Sequence, residues 1–424
     1  MRIALTCNGP GEFSGWARPL LGALYELAPE VDVTLFFVPD DYATGREPAL
    51  AARLFPRASV VPSADYVRFA LGGRLAKISG RADVVQYLGG DLMHAAHVRA
   101  RLGGAACAYK FARKRDAPRL ARAFALDERN AADFARVQVP HERIEIVGNL
   151  AIDGALGEAA GAYPSAGDEG ELAPQSVLFM PGTRRHEIAN VVPEFLATAL
   201  RMRELRPDLQ AAFAISPYTE VAELTAALAL GGHRNVWGAR GRVVISDGGL
   251  ALSNADGSVA FPVVREAMRH ASRAKLAVTL PGTKCIELAA LGVPTIVCVP
   301  LNAPEVVVIN GPLQYLDRVP FAGRALKRAI VVGVDSRFPF TAQPNIDSAQ
   351  MLMPELRGTL MPGEIARRVA AYADDDAARA QASVRLRALY AAHAGAAGRM
   401  ARALLAVAAT SSAAITAARE TVRS

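Results

Sequence analysis

Two short stretches carry the most legible chemistry in the chain. Pro181-Gly182-Thr183-Arg184-Arg185-His186-Glu187-Ile188 and Pro281-Gly282-Thr283-Lys284-Cys285-Ile286-Glu287-Leu288 share one form: Pro-Gly-Thr, a basic residue, two variable residues, Glu, an aliphatic residue. Each follows an apolar run and opens a helical pattern. A strand, a glycine turn and a helix start in succession present unpaired backbone N–H groups at the positive end of a helix dipole, which attracts an anion. Thr183 and Thr283 add hydroxyls; Arg184 and Lys284 add charge. Thr also serves as an ordinary helix cap, and a capping box would place Glu three residues after it. Glu187 and Glu287 lie four after their Thr, so no such box is expected to account for them. Glu287, one turn into its helix, is placed to accept two ribose hydroxyls of a nucleotide whose phosphates lie at the helix start.

Two further groups follow early strands. Asn8-Gly9-Pro10-Gly11-Glu12-Phe13-Ser14-Gly15 is expected to form an open turn where ligands sit in open α/β sheets. Its glycines fall at 9, 11 and 15, which is not a dinucleotide fingerprint. Glu12 and Ser14 can hydrogen-bond a sugar, or equally solvate the turn and cap a helix over Trp16–Ala28. Asp91, after Gly89-Gly90, stands where a general base reaches a substrate hydroxyl, and where an ordinary N-cap stands. His94 and His97 lack a carboxylate or Cys to complete a ligand set, so no metal is expected. Lys110-Phe111-Ala112-Arg113-Lys114-Arg115 is a basic run that suits a solvated face, a lipid phosphate or an anionic membrane surface. Gln343-Pro344-Asn345-Ile346-Asp347, with Pro354-Glu355-Leu356 beyond it, offers amides and carboxylates in an expected loop.

Apolar runs alternating with Ala/Leu/Arg helical patterns must position these groups, which predicts an α/β protein with parallel strands. Strands are expected at Arg2–Cys7, Val31–Val38, Ser59–Val61, Asp83–Leu88, Ala105–Lys110, Ala123–Leu126 and Glu145–Val147. After an unpatterned stretch they resume at Ser176–Met180, Leu209–Ile215, Lys275–Leu280 and Thr295–Val299, with short extra strands between Gly231 and Pro262. The expected division is a domain over 1–153, a linker over 154–175, a domain over 176–363 and terminal helices over 364–424. With 424 residues, 51% hydrophobic and 21% charged, the chain is folded and not disordered. A net charge of +7 favours anionic partners. Dispersed basic residues and 6% aromatics argue against nucleic acid. Cys7, Cys107, Cys285 and Cys298, singly placed, suit buried sites in a reducing compartment. The first apolar run is short for a signal peptide, and the expected address is the cytoplasm.

The motifs together resemble those of the lipid-A-disaccharide synthase family, which has a GT-B fold. Gly11-Glu12-Phe13-Ser14-Gly15 resembles its GExSG signature, Met180-Pro181-Gly182-Thr183-Arg184 with Glu187 its LPGSR…E block, and Pro281-Gly282-Thr283 with Glu287 its SGTATLE block. Gln343-Pro344-Asn345 with Pro354-Glu355 resembles its LPN…PE block, and Gly148-Asn149 stands at its Gly-His pair. The likeness covers most of the chain in the same order.

The resemblance implies two Rossmann-like domains facing each other across a cleft. It implies a hexosyltransferase that moves an acylated glucosamine from UDP-2,3-diacylglucosamine to an acylated glucosamine 1-phosphate, with inversion, peripheral to the inner membrane face. Asp91 would be the base, and Glu12 a second catalytic residue. Gly182, Thr183, Arg184, Glu187, Gly282, Thr283, Glu287 and Asn345 would serve the UDP-sugar donor, and Ser14, Gly15 and Trp16 the acceptor. No cofactor or metal is implied, and a homodimer is left open. Trp16 replaces the family's Asp, Pro281 replaces a Ser, and the aromatic SPSVWAW stretch is missing near Ala108–Arg113, so the donor half keeps more of the pattern. Two other readings use the same features: a UDP-N-acetylglucosamine 2-epimerase-like enzyme and a non-catalytic UDP-sugar binder.

Overall fold

The structure, a computed structural model, describes residues 1–40, 43–75, 78, 80–163, 173, 175–233, 236–246, 249–300 and 339–423, and the side chains within its last helix as far as 412. Met1–Gly157 with Ala392–Ser424 forms one compact unit and Glu158–Ala391 a second.

The first unit holds β1 (Arg2–Cys7), β2 (Asp32–Phe37), β3 (Ser59–Val61), β4 (Val84–Tyr87), β5 (Ala105–Tyr109), β6 (Leu120–Ala125) and β7 (Ile144–Ile146). They form one parallel sheet in the order β3-β2-β1-β4-β5-β6-β7. Every expected strand is present to within a few residues. The central strands are buried along nearly their whole length, as a parallel sheet requires when helices cover both faces. The sheet order reverses between β1 and β4, and ligands of open α/β sheets bind beyond the strand C-termini at such a point.

The second unit holds β8 (Val177–Met180), β9 (Ala211–Ala214), β10 (Gly241–Ser246), β11 (Gly249–Asn254), β12 (Ala260–Val264), β13 (Leu276–Thr279), β14 (Thr295–Pro300) and β15 (Glu355–Gly358). Their order is β10-β11-β12-β9-β8-β13-β14-β15, antiparallel only within β10-β11-β12 and reversing between β8 and β13. Phe179, Phe195, Phe213 and Phe261 form an aromatic chain through its core.

Three expectations about connections change. The stretch read as a linker from 154 opens inside the Leu150–Ala159 helix. Gln343–Ser348, read as loop, is a short helix, because Pro344 at its start presets the helical φ. The C-terminal helices, read as one appendage, divide: Pro362–Asp374 and Asp376–Tyr390 fall in the second unit and Ala396–Arg423 in the first. Asp153 accounts for the last, since its carboxylate accepts the N–H groups of Gly395 at 2.7 Å and Ala397 at 2.6 Å at that helix start. The last of these helices runs to Arg423.

One core group is unusual. Glu194, in the Arg185–Leu205 helix, is 2% exposed, and its Oε1 has no hydrogen-bond partner. Burial pushes its carboxyl from 4.5 up to about 8. Between those values the folded chain holds a proton that the unfolded chain has lost. The contribution of this one group to stability is therefore greatest at acid pH and declines as pH rises through this window. Glu194→Gln is expected to remove that decline and to gain on the order of 3 kcal/mol at pH 8. Denaturant melts of both proteins at pH 5 and pH 8 check it; parallel pH dependence in the two would sink the assignment.

Candidate functional site

In the second unit the fold brings the two Pro-Gly-Thr turns side by side. β8 and β13 are adjacent parallel strands at the reversal point, with Met180 opposite Thr279. The Thr279 hydroxyl donates to the Met180 carbonyl at 3.2 Å. Each strand ends in its turn, and each turn feeds a helix, Arg185–Leu205 and Thr283–Leu291. Two helix N-termini thus open at the same sheet edge, the position expected of a bound anion.

The two turns differ in what fills them. Glu187 Oε2 accepts the Thr183 N–H at 2.9 Å and the Arg184 N–H at 3.0 Å, and Oε1 accepts from the Arg184 guanidinium at 3.2 Å. This corrects the expectation that no capping box accounts for Glu187. The box counts from Arg184, the N-cap, and not from Thr183, so Glu187 is the third helical residue. The carboxylate lies over Gly182, whose φ is 101° and where a Cβ would sit 2.2 Å from Glu187 Oε2. Only glycine fits there.

Beside it, a Cβ on Gly282 would meet nothing within 4 Å. The Thr283 N–H has no acceptor among the described residues, and Thr283 is exposed. Glu287 is buried, and its Oε2 accepts from Lys284 Nζ at 2.5 Å. The second turn is therefore the open one, with an N–H, a hydroxyl and an ammonium at its rim.

Asn345 differs from its expected place on the donor. It is fully buried, and its amide is saturated. Oδ1 accepts the N–H groups of Leu352 and Met353, both at 2.8 Å, while Nδ2 donates to the Met353 carbonyl at 2.7 Å and to Glu355 Oε1 at 2.9 Å. An amide has two donors and two lone pairs, so nothing remains for a ligand. Glu355 is equally engaged. Burial would raise its carboxyl, but the N–H of Ala342, the Thr341 hydroxyl, Asn345 and Arg357 outweigh that and hold it below the ordinary range.

In the first unit, candidates gather beyond β1, β4 and β5. The expected open turn is shorter than anticipated: after Asn8-Gly9 the chain is already helical at Pro10–Glu12, continues as a π-helix over Phe13–Ala17, and becomes α-helical at Arg18–Leu27. Pro10 tolerates the first helical position because its missing N–H would be unpaired there. Ser14 lies inside this helical segment and so does not cap it. Gly15 is a packing residue, its Cα face lying against Ala151. Glu12 packs against the Gly89-Gly90 turn, where a Cβ on Gly89 would sit 2.8 Å from Glu12 Cγ.

Tyr87 ties that turn down, its hydroxyl donating to the Gly90 carbonyl at 2.8 Å. Asp91 then caps the Leu92–Leu102 helix, accepting the Met93 N–H at 2.6 Å. The same oxygen, Oδ1, accepts from Arg113 at 3.0 Å. Asp91 Oδ2 carries no hydrogen bond among the described residues, and the side chain is 55% exposed. The Met93 N–H and the Arg113 charge hold its carboxyl below the ordinary range. The cap and the ion pair thus use one oxygen and leave the other without a bond among the described residues. His94 is committed elsewhere, its Nδ1 bonded with the Tyr66 hydroxyl at 2.8 Å.

Trp16 is half-buried and meets Tyr109 edge-on, with ring centroids 5.6 Å apart. Tyr109 in turn accepts the Leu150 N–H at 2.9 Å and donates to the Gly148 carbonyl at 3.2 Å, so Gly148-Asn149 is held from within this unit. Sequence reasoning passed over Lys110 as an individual. It follows β5 directly, and that position at the strand end was its available signal.

No family profile matches the chain, and no curated relative matches it. Solved structures do. The S. aureus MnaA–UDP co-structure is 13% identical over 94% of each chain, with a TM-score of 0.54. A putative UDP-N-acetylglucosamine 2-epimerase from Listeria monocytogenes is 14% identical over 94% of each, with a TM-score of 0.53. The glycotransferase of kitacinnamycin is 16% identical over 96% of this chain and 98% of its own, also at 0.53. At these identities the likeness is one of fold: α/β with two Rossmann-like domains of the GT-B type. No helix among the described residues is long and apolar enough to cross a membrane.

Proposed function

We propose that the chain is a UDP-sugar-dependent glycosyltransferase of the lipid-A-disaccharide synthase kind. The observation that carries this reading is the pair of Pro-Gly-Thr turns side by side at the β8/β13 reversal, with Glu287 buried one turn into the second helix. Structures of this fold include one solved with UDP. In this reading the diphosphate meets the Thr283 N–H and hydroxyl with Lys284 and Arg184 nearby, and Glu287 holds the ribose. Gly182, Thr183 and Glu187 shape the neighbouring turn. The acceptor is a lipid-linked sugar phosphate, met by the first unit at a membrane surface that suits the exposed Phe111 beside Lys114 and Arg115.

Asp91 Oδ2 takes the proton of the acceptor hydroxyl. The hydroxyl oxygen attacks the anomeric carbon opposite the UDP, the carbon–oxygen bond to UDP breaks, and configuration inverts. Charge accumulating on UDP is stabilised by groups already oriented toward it, so little reorganisation is needed as the bond breaks.

The test is incubation with UDP-2,3-diacylglucosamine and acylated glucosamine 1-phosphate. Disaccharide and UDP are the expected products. Conversion of UDP-N-acetylglucosamine to its epimer without an acceptor would instead select the 2-epimerase reading, and UDP binding with no turnover the binder. At the donor site, Glu287→Ala is expected to weaken UDP about tenfold or somewhat more, the worth of a charge-assisted hydrogen-bond pair less what the released Lys284 returns to the phosphates. Calorimetric titration measures it, and unchanged affinity would remove Glu287 from the ribose.

A further inference from the structure

Lys110 is placed as no ordinary surface lysine would be. Its backbone is left-handed, with φ of 65°, at the C-terminal end of β5. A non-glycine residue pays about 1 kcal/mol or more to adopt that conformation. It is held there from both sides: its N–H donates to the Phe124 carbonyl at 2.9 Å, and its carbonyl accepts from Asn130 Nδ2 at 2.8 Å. The side chain consequently projects between two rings, with Nζ 5.4 Å from the Trp16 centroid and 5.2 Å from that of Phe111. Among the described residues no carboxylate or carbonyl oxygen lies within bonding reach of this ammonium.

We infer that Lys110, framed by Trp16 and Phe111, is the binding group for a phosphomonoester on the ligand of the first unit. The inference rests on the acceptor reading above and names the part of the acceptor that this unit grips. A half-buried ammonium without a counter-ion is costly, and a ring face compensates only about 1 to 2 kcal/mol of that. A phosphate oxygen compensates it more fully through short, charge-assisted hydrogen bonds. The rings keep water from one side of the ammonium, which strengthens such a contact. Burial already disfavours the charged lysine, with Glu12 the nearest opposing influence, so an arriving anion restores what the site lacks. Lys110 lies at the strand end next to β4, whose following turn carries Asp91. A sugar with its phosphate on Lys110 can therefore turn a hydroxyl toward Asp91 Oδ2. A sugar phosphate and a phospholipid headgroup share this chemistry.

Trp16 supplies the readout. The chain has two tryptophans, Trp16 and Trp237, so a full-length Trp237→Phe protein reports the site through Trp16 emission alone. Glucosamine 1-phosphate is expected to change that emission saturably, and glucosamine is not. Lys110→Met is expected to weaken the response at least tenfold while the unliganded melting curve and the UDP-induced rise in melting temperature stay as in the parent, the unliganded curve showing that both units fold. Lys110→Gly, free of strain at this φ, carries the same test should the Met protein melt early. Vesicles of phosphatidylcholine with phosphatidic acid form a second arm. A Lys110-dependent response to these vesicles alone assigns the phosphate to a lipid headgroup, and to glucosamine 1-phosphate alone, to a sugar. Parent-like binding of both probes by Lys110→Met, or no response of the parent to either, overturns the inference. Loss of the UDP effect in every protein would instead count against the donor reading, since Trp16 reports independently of it.

Discussion

Asp91→Asn is expected to reduce transfer by about a hundredfold to ten-thousandfold while leaving folding and UDP affinity close to those of the parent. The separation follows from the division of labour between the two carboxylate oxygens. Oδ1 caps the Leu92–Leu102 helix and pairs with Arg113, and an Asn carbonyl caps a helix about as well as Asp. The partly exposed ion pair is worth at most about 1 kcal/mol. Oδ2 is the atom that would take the proton, and an amide there cannot. Because the Met93 N–H and Arg113 keep Asp91 ionised below the ordinary carboxylate range, the acid limb of the rate profile should fall at unusually low pH. Arg113→Ala removes part of that support and should move the limb upward. Rates measured from about pH 2.5 to about pH 8 on the three proteins decide the matter, a span that reaches below the ordinary carboxylate range; an Asn variant that turns over like the parent would exclude Asp91 as the base.

The fold was legible because parallel strands buried on both faces read as uniform apolar runs, and those runs stand out between helical patterns. Arg2–Cys7 and Ser59–Val61 are found residue for residue. β15 was missed, because Glu355-Leu356-Arg357-Gly358 has neither an apolar run nor a clean alternation. Its place in the sheet comes from pairing with β14, and a contact so distant in sequence leaves no local trace. The same limit governs the sites. The likeness of the two Pro-Gly-Thr turns was visible, whereas their adjacency depends on β8 pairing with β13 across about a hundred residues. Glu187 was misjudged by one position because the cap is Arg184, whose side chain is no preferred capping group. Lys110 is concealed within a run of basic residues, and its left-handed backbone and the two rings that frame it are set by the fold.

Asn345→Ala is expected to destabilise the second unit by about 4 kcal/mol or more, and to do so whether or not UDP is bound. Four hydrogen bonds to nitrogen and oxygen partners leave with the amide, and a weaker one to Met351 Sδ. The loss exceeds four average bonds' net worth in one respect: the N–H groups of Leu352 and Met353, the Met353 carbonyl and the Glu355 carboxylate stay behind, dry and short of partners. Each stranded neutral group costs about 1 to 3 kcal/mol, and a charged one more, although water entering the vacated space recovers part. Glu355 also holds Thr341 and Ala342, so the damage reaches the segment leading into the Gln343–Ser348 helix. Asn345→Asp is the sharper variant, because it keeps the shape and the oxygen that accepts both N–H groups but replaces the donor Nδ2 with an oxygen and sets a carboxylate against Glu355, where like charges in a buried site repel. It should be destabilised most at neutral pH, where it has no proton to donate to the Met353 carbonyl or Glu355, and recover as acid neutralises the pair. Denaturant melts with and without UDP test both. A donor contact through Asn345 would appear as a loss of UDP stabilisation larger than the loss of intrinsic stability, whereas the saturated amide requires that both proteins, where folded, gain from UDP as the parent does.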